Sequence, residues 1–415
     1  MNAFTWFVLA VLALVTVIQL WLARRHVRHV QRHRDSVPEA FRDAVDASAH
    51  HKAAAYTIAK TRAAMADTLI AAALFVLWTL GGALEGLDGL WHATGLSPLV
   101  AGTGFVVSFL ALSSVLELPM DVYRTFGIER RFGFSRMSAG LFIADNFKQL
   151  LLTLAIAAPL VWVVLWLMAD AGPLWWLAAW VVWMGFSVLM LWAYPVVIAP
   201  LFNRFLPLDN PELRQRIERL LARCGFASKG IFVMDGSRRS SHGNAYFTGL
   251  GENKRIVFFD TLLNSLDAVE IEAVLAHELG HFKRHHVAKR LMSMSALSLL
   301  ALGALGWLSG QPWFYAGLGM SQSSTHAALV LFLLIAPLAG FFIQPALAAG
   351  MRRHEFEADD FAAEQTDPST LVRALVKLYE DNANTLTPDP LYSAFHDSHP
   401  PAPVRVAHLL TKIPG

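Results

Sequence analysis

The chain has 415 residues, of which 55% are hydrophobic and only 16% are charged, and its formal net charge is +2. Soluble domains contain about 25% charged residues, so this composition is typical of an integral membrane protein. The slight net charge, with no single basic face, predicts no nucleic-acid partner. Cys224 is the only cysteine, which excludes an intramolecular disulfide framework and a thiolate zinc site.

Apolar stretches along the chain approach the length of about 20 residues that spans a bilayer as a helix. Seven such stretches lie near 3–23, 65–84, 98–118, 149–169, 174–197, 291–310 and 327–349. Basic residues follow the first stretch and do not precede it, which predicts a retained anchor and not a cleaved signal. We therefore predict a mainly α, polytopic membrane protein with seven transmembrane helices.

The basic residues of the connecting segments predict an orientation. Lys and Arg are abundant after the first and third stretches, whereas 85–97, 170–173 and 311–326 contain none. The positive-inside rule then places the N-terminus outside. The basic loops, the 198–290 region and the C-terminus are expected on the cytoplasmic side.

From about residue 201 the sequence changes to the mixed pattern of a small α+β domain. An amphipathic helix begins after Asn210, and short strands are predicted at Ile231–Met234, Asn244–Phe247 and Arg255–Phe259. Turns at 235–236 and 251–253 separate these strands. Asp267 and Glu270 form a capping-box pattern that begins the next helix.

That next helix carries the sequence His277-Glu278-Leu279-Gly280-His281. Residues at i and i+4 share a helix face, so the two imidazoles can bind one metal ion together. Glu278 lies about 100° further round, where its carboxylate can reach water beside the metal without becoming a ligand. This H-E-x-x-H arrangement is typical of zinc hydrolases.

A third protein ligand is needed, because catalytic zinc sites usually take three. Glu355 and Asp359 follow the seventh apolar stretch. Two spans separate them from His281, so both segments emerge on the same side of the membrane. The two carboxylates share a helix face at i and i+4, and spacing alone leaves open which of them is the ligand.

Glu355-x-x-Ala358-Asp359 after a distant H-E-x-x-H resembles the type I CAAX prenyl endopeptidases, which are integral-membrane zinc metalloproteases. The resemblance covers most of the chain from about residue 60. Further similar segments are Ser240–Phe247, Lys254–Leu263, Asp389–His396 and Ser398–Pro401. Departures from the family pattern are Met351, His354, Gly243 and Phe282, none of which removes a catalytic group.

The resemblance implies one Zn²⁺ per chain and a set of site residues. The implied zinc ligands are His277, His281 and Glu355, with Asp359 supporting them, and the implied catalytic residues are Glu278, His399 and Arg405. Asn244, Ala245, Tyr246 and Phe247 would form an exposed edge strand that binds substrate main chain. The alternatives are a helix-start histidine for His399, a structural partner of Asp359 for Arg405, and a plain core strand for 244–247. His286 has a counterpart in the family, but His285 and His286 are expected at the membrane interface.

The predicted architecture has four parts, and the resemblance adds that the membrane helices enclose a chamber. These parts are a membrane region at 1–200, a gluzincin-like protease segment at 201–290, a transmembrane hairpin at 291–350 and a C-terminal segment at 351–415.

We therefore predict a membrane-embedded zinc metalloendopeptidase with a peptide or protein substrate. The resemblance implies removal of the C-terminal tripeptide from prenylated CAAX proteins. A composition rich in Ala, Leu, Arg, Trp and Val favours the inner membrane of a bacterium, where general peptide or membrane-protein quality control is the alternative function. A catalytically silent receptor or channel is a second alternative, against which the intact Glu278 argues. Lys283, Arg284 and Lys289 argue against a lipid-buried active site. The sequence leaves the oligomeric state open.

Overall fold

The computed structural model describes residues 1–226, 228, 230–248 and 255–413. The predicted turn at 251–253 and the first residue of the Lys254–Leu263 segment lie outside the described residues.

The described part of the chain is mostly helical. Its α-helices are α1 Ala3–His33, α2 Ala47–Trp78, α3 Ala83–His92, α4 Pro98–Val122, α5 Ala139–Asp170, α6 Trp175–Ala193, α7 Ala199–Phe202, α8 Pro211–Cys224, α9 Asp260–Ser265, α10 Ala268–Lys283, α11 His286–Leu308, α12 Pro312–Gly317, α13 Thr325–Gln365, α14 Pro368–Asp381, α15 Pro390–His396 and α16 Ala402–Leu410. π-Helical turns continue α4 to Glu129 and α6 to Ile198.

Seven helical segments of the described chain are long and apolar enough to cross a membrane, which confirms the predicted number of spans. They are α1, α2, the continued α4, α5, the continued α6, α11 and α13. Their buried side chains form an apolar cluster that includes Phe105, Leu165, Leu305 and Val330. Helices α8, α9, α10, α14 and α16, the sheet and the C-terminal end of α13 build a second unit around a separate core.

Helix α13 is 41 residues long and carries the seventh span together with Glu355 and Asp359. The Ser324 side chain caps its N-terminus by accepting from the Ala327 N–H. It continues through Pro337 and Pro345 without a break. The division that we predicted at 350/351 therefore falls inside one continuous helix.

A four-stranded sheet lies in the second unit. Its strands are β1 Phe205–Pro207, β2 Ile231–Met234, β3 Ala245–Thr248 and β4 Arg255–Phe259, in the order β1-β2-β4-β3. β2 and β4 are parallel, and the other two pairs are antiparallel. β2 and β4 have their predicted bounds, β3 begins one residue later than predicted, and β1 was not predicted. β3 is thus an edge strand and not a core strand.

Helix α10 begins with the predicted capping box. The Asp267 carboxylate accepts from the N–H groups of Val269 and Glu270, and Glu270 Oε2 accepts from the Asp267 N–H at 2.9 Å. The helix packs its apolar side chains, among them Leu275 and Leu279, into a core with Ile217, Ile256 and Phe258. This packing leaves the histidine face of α10 directed at α13.

Candidate active site

The site depends on a close approach of α10 to α13 at Gly280. A Cβ atom at Gly280 would lie 2.9 Å from the Ala358 Cα and 3.0 Å from the Ala358 carbonyl oxygen, so any larger residue would push the helices apart. Gly280 lies between the two histidines of α10, and Ala358 lies between the two carboxylates of α13. The small pair therefore sets the distance between the predicted ligands.

The three predicted ligands converge across this contact. His277 Nε2 lies 3.3 Å from His281 Nε2 and 3.4 Å from Glu355 Oε2, and His281 Nε2 lies 3.4 Å from Glu355 Oε1. Ligands about 2.05 Å from a tetrahedral zinc ion lie about 3.3 Å apart, so these spacings fit one. Glu355 Oε2 is buried and accepts no hydrogen bond from the described residues. Two imidazoles and a carboxylate with an unused oxygen suit a zinc ion.

The Asp359 carboxylate contacts the Nδ1 side of the His277 ring, opposite to the side that Glu355 faces. Its Oδ1 lies 2.8 Å from His277 Nδ1, while Glu355 faces Nε2 of the same ring. Arg405 donates to both carboxylate oxygens of Asp359, from Nη2 at 2.6 Å and from Nε at 2.9 Å. Arg405 is therefore a structural partner of Asp359, and its Nη1 also lies 3.9 Å from Glu355 Oε2.

His286 contacts the predicted ligand His281, although it was expected at the membrane interface. His286 Nδ1 lies 2.9 Å from His281 Nδ1, and its Nε2 lies 3.0 Å from Glu357 Oε2. A chain reversal at His285, whose φ is +57°, separates the two histidines. The family has a histidine at the position of His286, and this was the sequence signal that could have revealed the contact.

A cavity of about 400 Å³ opens at the predicted metal site. Glu278 lines it together with His277, Glu355, His399 and Arg405. His399 Nε2 lies 3.4 Å from Glu355 Oε1, and its side chain is 63% exposed. The structure thus brings the predicted catalytic residues and two of the three predicted ligands to the wall of one cavity, and the third, His281, lies against His277.

Burial and neighbouring charges shift the pKa values of the ionisable side chains in the site. Burial raises the pKa of the Glu278 carboxyl above its usual value, which suits a group that takes up a proton and passes it on. Burial and the charge of Arg405 lower the pKa of His277, but the hydrogen bond to Asp359 and the nearby Glu355 carboxylate outweigh them and raise it to about 9. Burial, together with the charge on His277, lowers the pKa of His281 to about 4.

The predicted substrate strand contributes main chain to this cavity. Asn244 and Ala245 line it, whereas Tyr246 and Phe247 do not. The Asn244 carbonyl accepts from the Phe259 N–H of β4, so the alternation of a strand turns the N–H and C=O of Ala245 toward the open edge. Asn244 Oδ1 accepts that Ala245 N–H at 2.8 Å. Phe247 instead packs on Phe282, with ring centroids 5.2 Å apart.

Family models match nearly the whole chain. A model described as the CAAX prenyl protease N-terminal region with five membrane helices matches residues 26–204, and the model of peptidase family M48 matches residues 207–413. CAAX prenyl protease 1 of Saccharomyces cerevisiae is 32% identical over 405 residues, which cover 90% of this chain and 88% of the yeast protein. The chain belongs to the CAAX prenyl protease 1 family of M48 peptidases.

Other members of this family are similar over their whole length. The Homo sapiens homolog is 30% identical over an alignment that covers 97% of this chain and 95% of the human protein. The crystal structure of S. mikatae Ste24p has a TM-score of 0.90 at 29% identity and covers 99% of both chains. The predicted fold class and the prediction of a multi-pass membrane metalloprotease are thereby confirmed.

Proposed function

We propose that this M48 peptidase holds one Zn²⁺ on His277, His281 and Glu355 and removes the C-terminal tripeptide from prenylated CAAX substrates. The convergence of these three donors beside Glu278 and an open strand edge carries the proposal. The relatives are named CAAX prenyl proteases, which supports prenylated CAAX proteins as the substrate class.

Zinc at this site would lower the pKa of a bound water toward about 7 and polarise the scissile carbonyl. Glu278 accepts the proton of the attacking water and passes it to the leaving amine. Asp359 holds the His277 ring in place through Nδ1, and Arg405 holds Asp359. These residues keep the reacting groups in position before substrate arrives.

Substrate binding uses two further groups on the cavity wall. The open edge at Ala245 pairs with the substrate main chain, a contact that is independent of side-chain sequence. The exposed imidazole of His399 donates to the carbonyl oxygen as negative charge develops on it.

The test is zinc content and cleavage of a farnesylated CAAX peptide by the purified protein, in parallel with Glu278→Gln. Because general-base catalysis contributes about 100-fold or more, the variant should retain zinc and lose at least that much kcat. Absence of zinc from the wild type, or full activity of the variant, would refute the mechanism. Base-dependent cleavage of unprenylated peptides alone would instead identify the quality-control function.

We also propose that the active site and the C-terminus face the cytoplasm of a bacterial inner membrane, which the basic loops support. A fluorescent protein fused after residue 415 should be bright. Alkaline phosphatase fused at the same point should be inactive, and the opposite pair of results would reverse the orientation.

A further inference from the structure

A second cavity, of about 520 Å³, adjoins the active-site cavity. Tyr379, Asn384 and His399 line both cavities, so His399 lies at the boundary between them. The second cavity lies between α2 and the segment from Ala383 to Pro401. Its volume is within the range of about 300–1,000 Å³ that accommodates drug-sized ligands, and a tripeptide is of that size.

The wall of this second cavity carries polar and apolar groups in similar measure. It carries the imidazoles of His26 and His396, the phenols of Tyr56 and Tyr392, and the ammonium group of Lys60. An isoprenoid chain would offer these polar groups no hydrogen-bond partners, which costs free energy. A peptide with polar main-chain groups and a charged end fits this chemistry better.

Lys60 supplies a positive charge at this wall, and a carboxylate on which it acts, Glu129, is already hydrogen-bonded to Tyr56. The Lys60 Nζ lies over the Tyr56 ring, 4.7 Å from the centroid, and within the described residues it forms no ion pair shorter than 4.0 Å. Arg405, the cation of the active-site cavity, instead forms an ion pair with Asp359. Lys60 is therefore the cation available to a ligand that enters past His399.

The acidic residue on the same wall is Asp397. Arg352 fixes the Asp397 backbone by donating from Nη1 to its carbonyl oxygen at 2.7 Å. Burial raises the pKa of the Asp397 carboxyl, which favours its neutral form. This shift reduces the repulsion that Asp397 exerts on an anionic ligand.

An endopeptidase that removes a C-terminal tripeptide can select its bond by binding the free chain end. We propose that the second cavity binds the three residues beyond the scissile bond, and that Lys60 pairs with their terminal carboxylate. This inference rests on the proposed function, because only a substrate cut near its C-terminus presents that carboxylate.

The test compares a farnesylated CAAX peptide as free acid with the same peptide as C-terminal amide. Since a hydrogen bond to a charged group contributes about tenfold, the wild type should cleave the acid about tenfold better in kcat/KM, chiefly through KM. Lys60→Gln should reduce acid cleavage to the amide level and leave amide cleavage unchanged. Lys60→Arg should restore most of the preference for the acid.

Lys52→Gln is the matched control. Lys52 lies on the same helix and over an aromatic ring, that of Phe134 at 4.8 Å, but it does not line the cavity. This variant should keep the acid preference of the wild type. An acid preference that persists in Lys60→Gln would overturn the inference.

A binding measurement separates this inference from the proposed function. Fluorescent acid and amide peptides are titrated into Glu278→Gln, with and without Lys60→Gln. Tighter binding of the acid that disappears with Lys60 supports the cavity assignment whatever the cleavage result. Equal binding of acid and amide refutes it even if the wild type cleaves the CAAX peptide.

Discussion

Two carboxylates one helical turn apart occupy opposite sides of the same imidazole. Glu355 faces His277 Nε2, and Asp359 faces Nδ1. Spacing could place both on one face of α13, but it could not decide between them, because the choice depends on how α10 lies across α13. That relation is set by the contact of Gly280 with Ala358, a tertiary property that no local pattern contains.

Asp359→Asn should preserve the packing of the site and lower its affinity for zinc. The amide removes the charge that orients His277 and pairs with Arg405, and loss of such a support typically weakens metal binding by about 10- to 100-fold. Competition with a zinc chelator measures the change.

Asp360→Asn is the control for that measurement. Asp360 is adjacent in sequence but pairs with His408 and Lys412, away from the ligands. Equal zinc affinity in Asp359→Asn and the wild type would show that Asp359 does not orient the ligand.

At the scale of elements, the segment that leads into β3 is held in place by contacts with helices of the membrane region. His242 Nε2 lies 3.4 Å from Glu129 Oε2, and Tyr56 donates to Glu129 Oε1 at 2.6 Å. On the other side, Asn382 Oδ1 lies 3.1 Å from His242 Nδ1 and accepts from the Gly243 N–H at 3.1 Å. Helix α2, the continuation of α4 and the C-cap of α14 thus fix the position of the proposed substrate-binding edge.

Glu129→Gln should therefore impair turnover without removing metal. The amide cannot accept from Tyr56 and His242 as strongly as a carboxylate, and a net loss of about 1 kcal/mol lowers kcat/KM about fivefold. Zinc content should stay at the wild-type value.

Asp121→Asn provides the comparison, because Asp121 lies on the same continuous helix and pairs only with nearby Arg124 among the described residues. A similar loss of kcat/KM in both variants would point to a general effect on the helix and not to the position of β3.

Sequence periodicity predicted elements well where their signals were local. The seven spans, the capping box at Asp267 and the bounds of β2 and β4 all arise from hydropathy and cap chemistry. β1 was missed because it has three residues and ends in Pro207, which is a weak strand signal. The contact of His286 with His281 was missed because it depends on the chain reversal at His285.

At the scale of the whole molecule, the first helix docks on the segment that precedes His399. Arg25 Nε lies 3.0 and 2.9 Å from the two carboxylate oxygens of Asp389, which also caps α15. The Asp389 N–H donates to His26 Nδ1 at 3.2 Å, and the His26 ring stacks on Tyr392 at 4.1 Å. The first helix and the segment that precedes His399 are therefore in contact beside the proposed tripeptide cavity.

Arg25→Gln should lower the thermal midpoint by about 2 °C, since the buried Asp389 carboxylate loses a charged partner. Arg28→Gln changes an exposed arginine one turn further along the same helix and should leave the midpoint unchanged. Thermal unfolding in detergent, followed by tryptophan fluorescence, distinguishes the two variants. Equal midpoints would mean that the contact between the chain ends adds no measurable stability.

The continuity of α13 fixes the distance between the proposed zinc site and the end of the seventh span. Glu355 lies six residues beyond the predicted end of the seventh span at 349, which at the rise of an α-helix is about 9 Å. Because no loop intervenes, this distance is a property of one rigid rod. The proposed zinc site therefore lies at a constant distance of about one nanometre from the end of the predicted span, within reach of a substrate bond close to a membrane anchor.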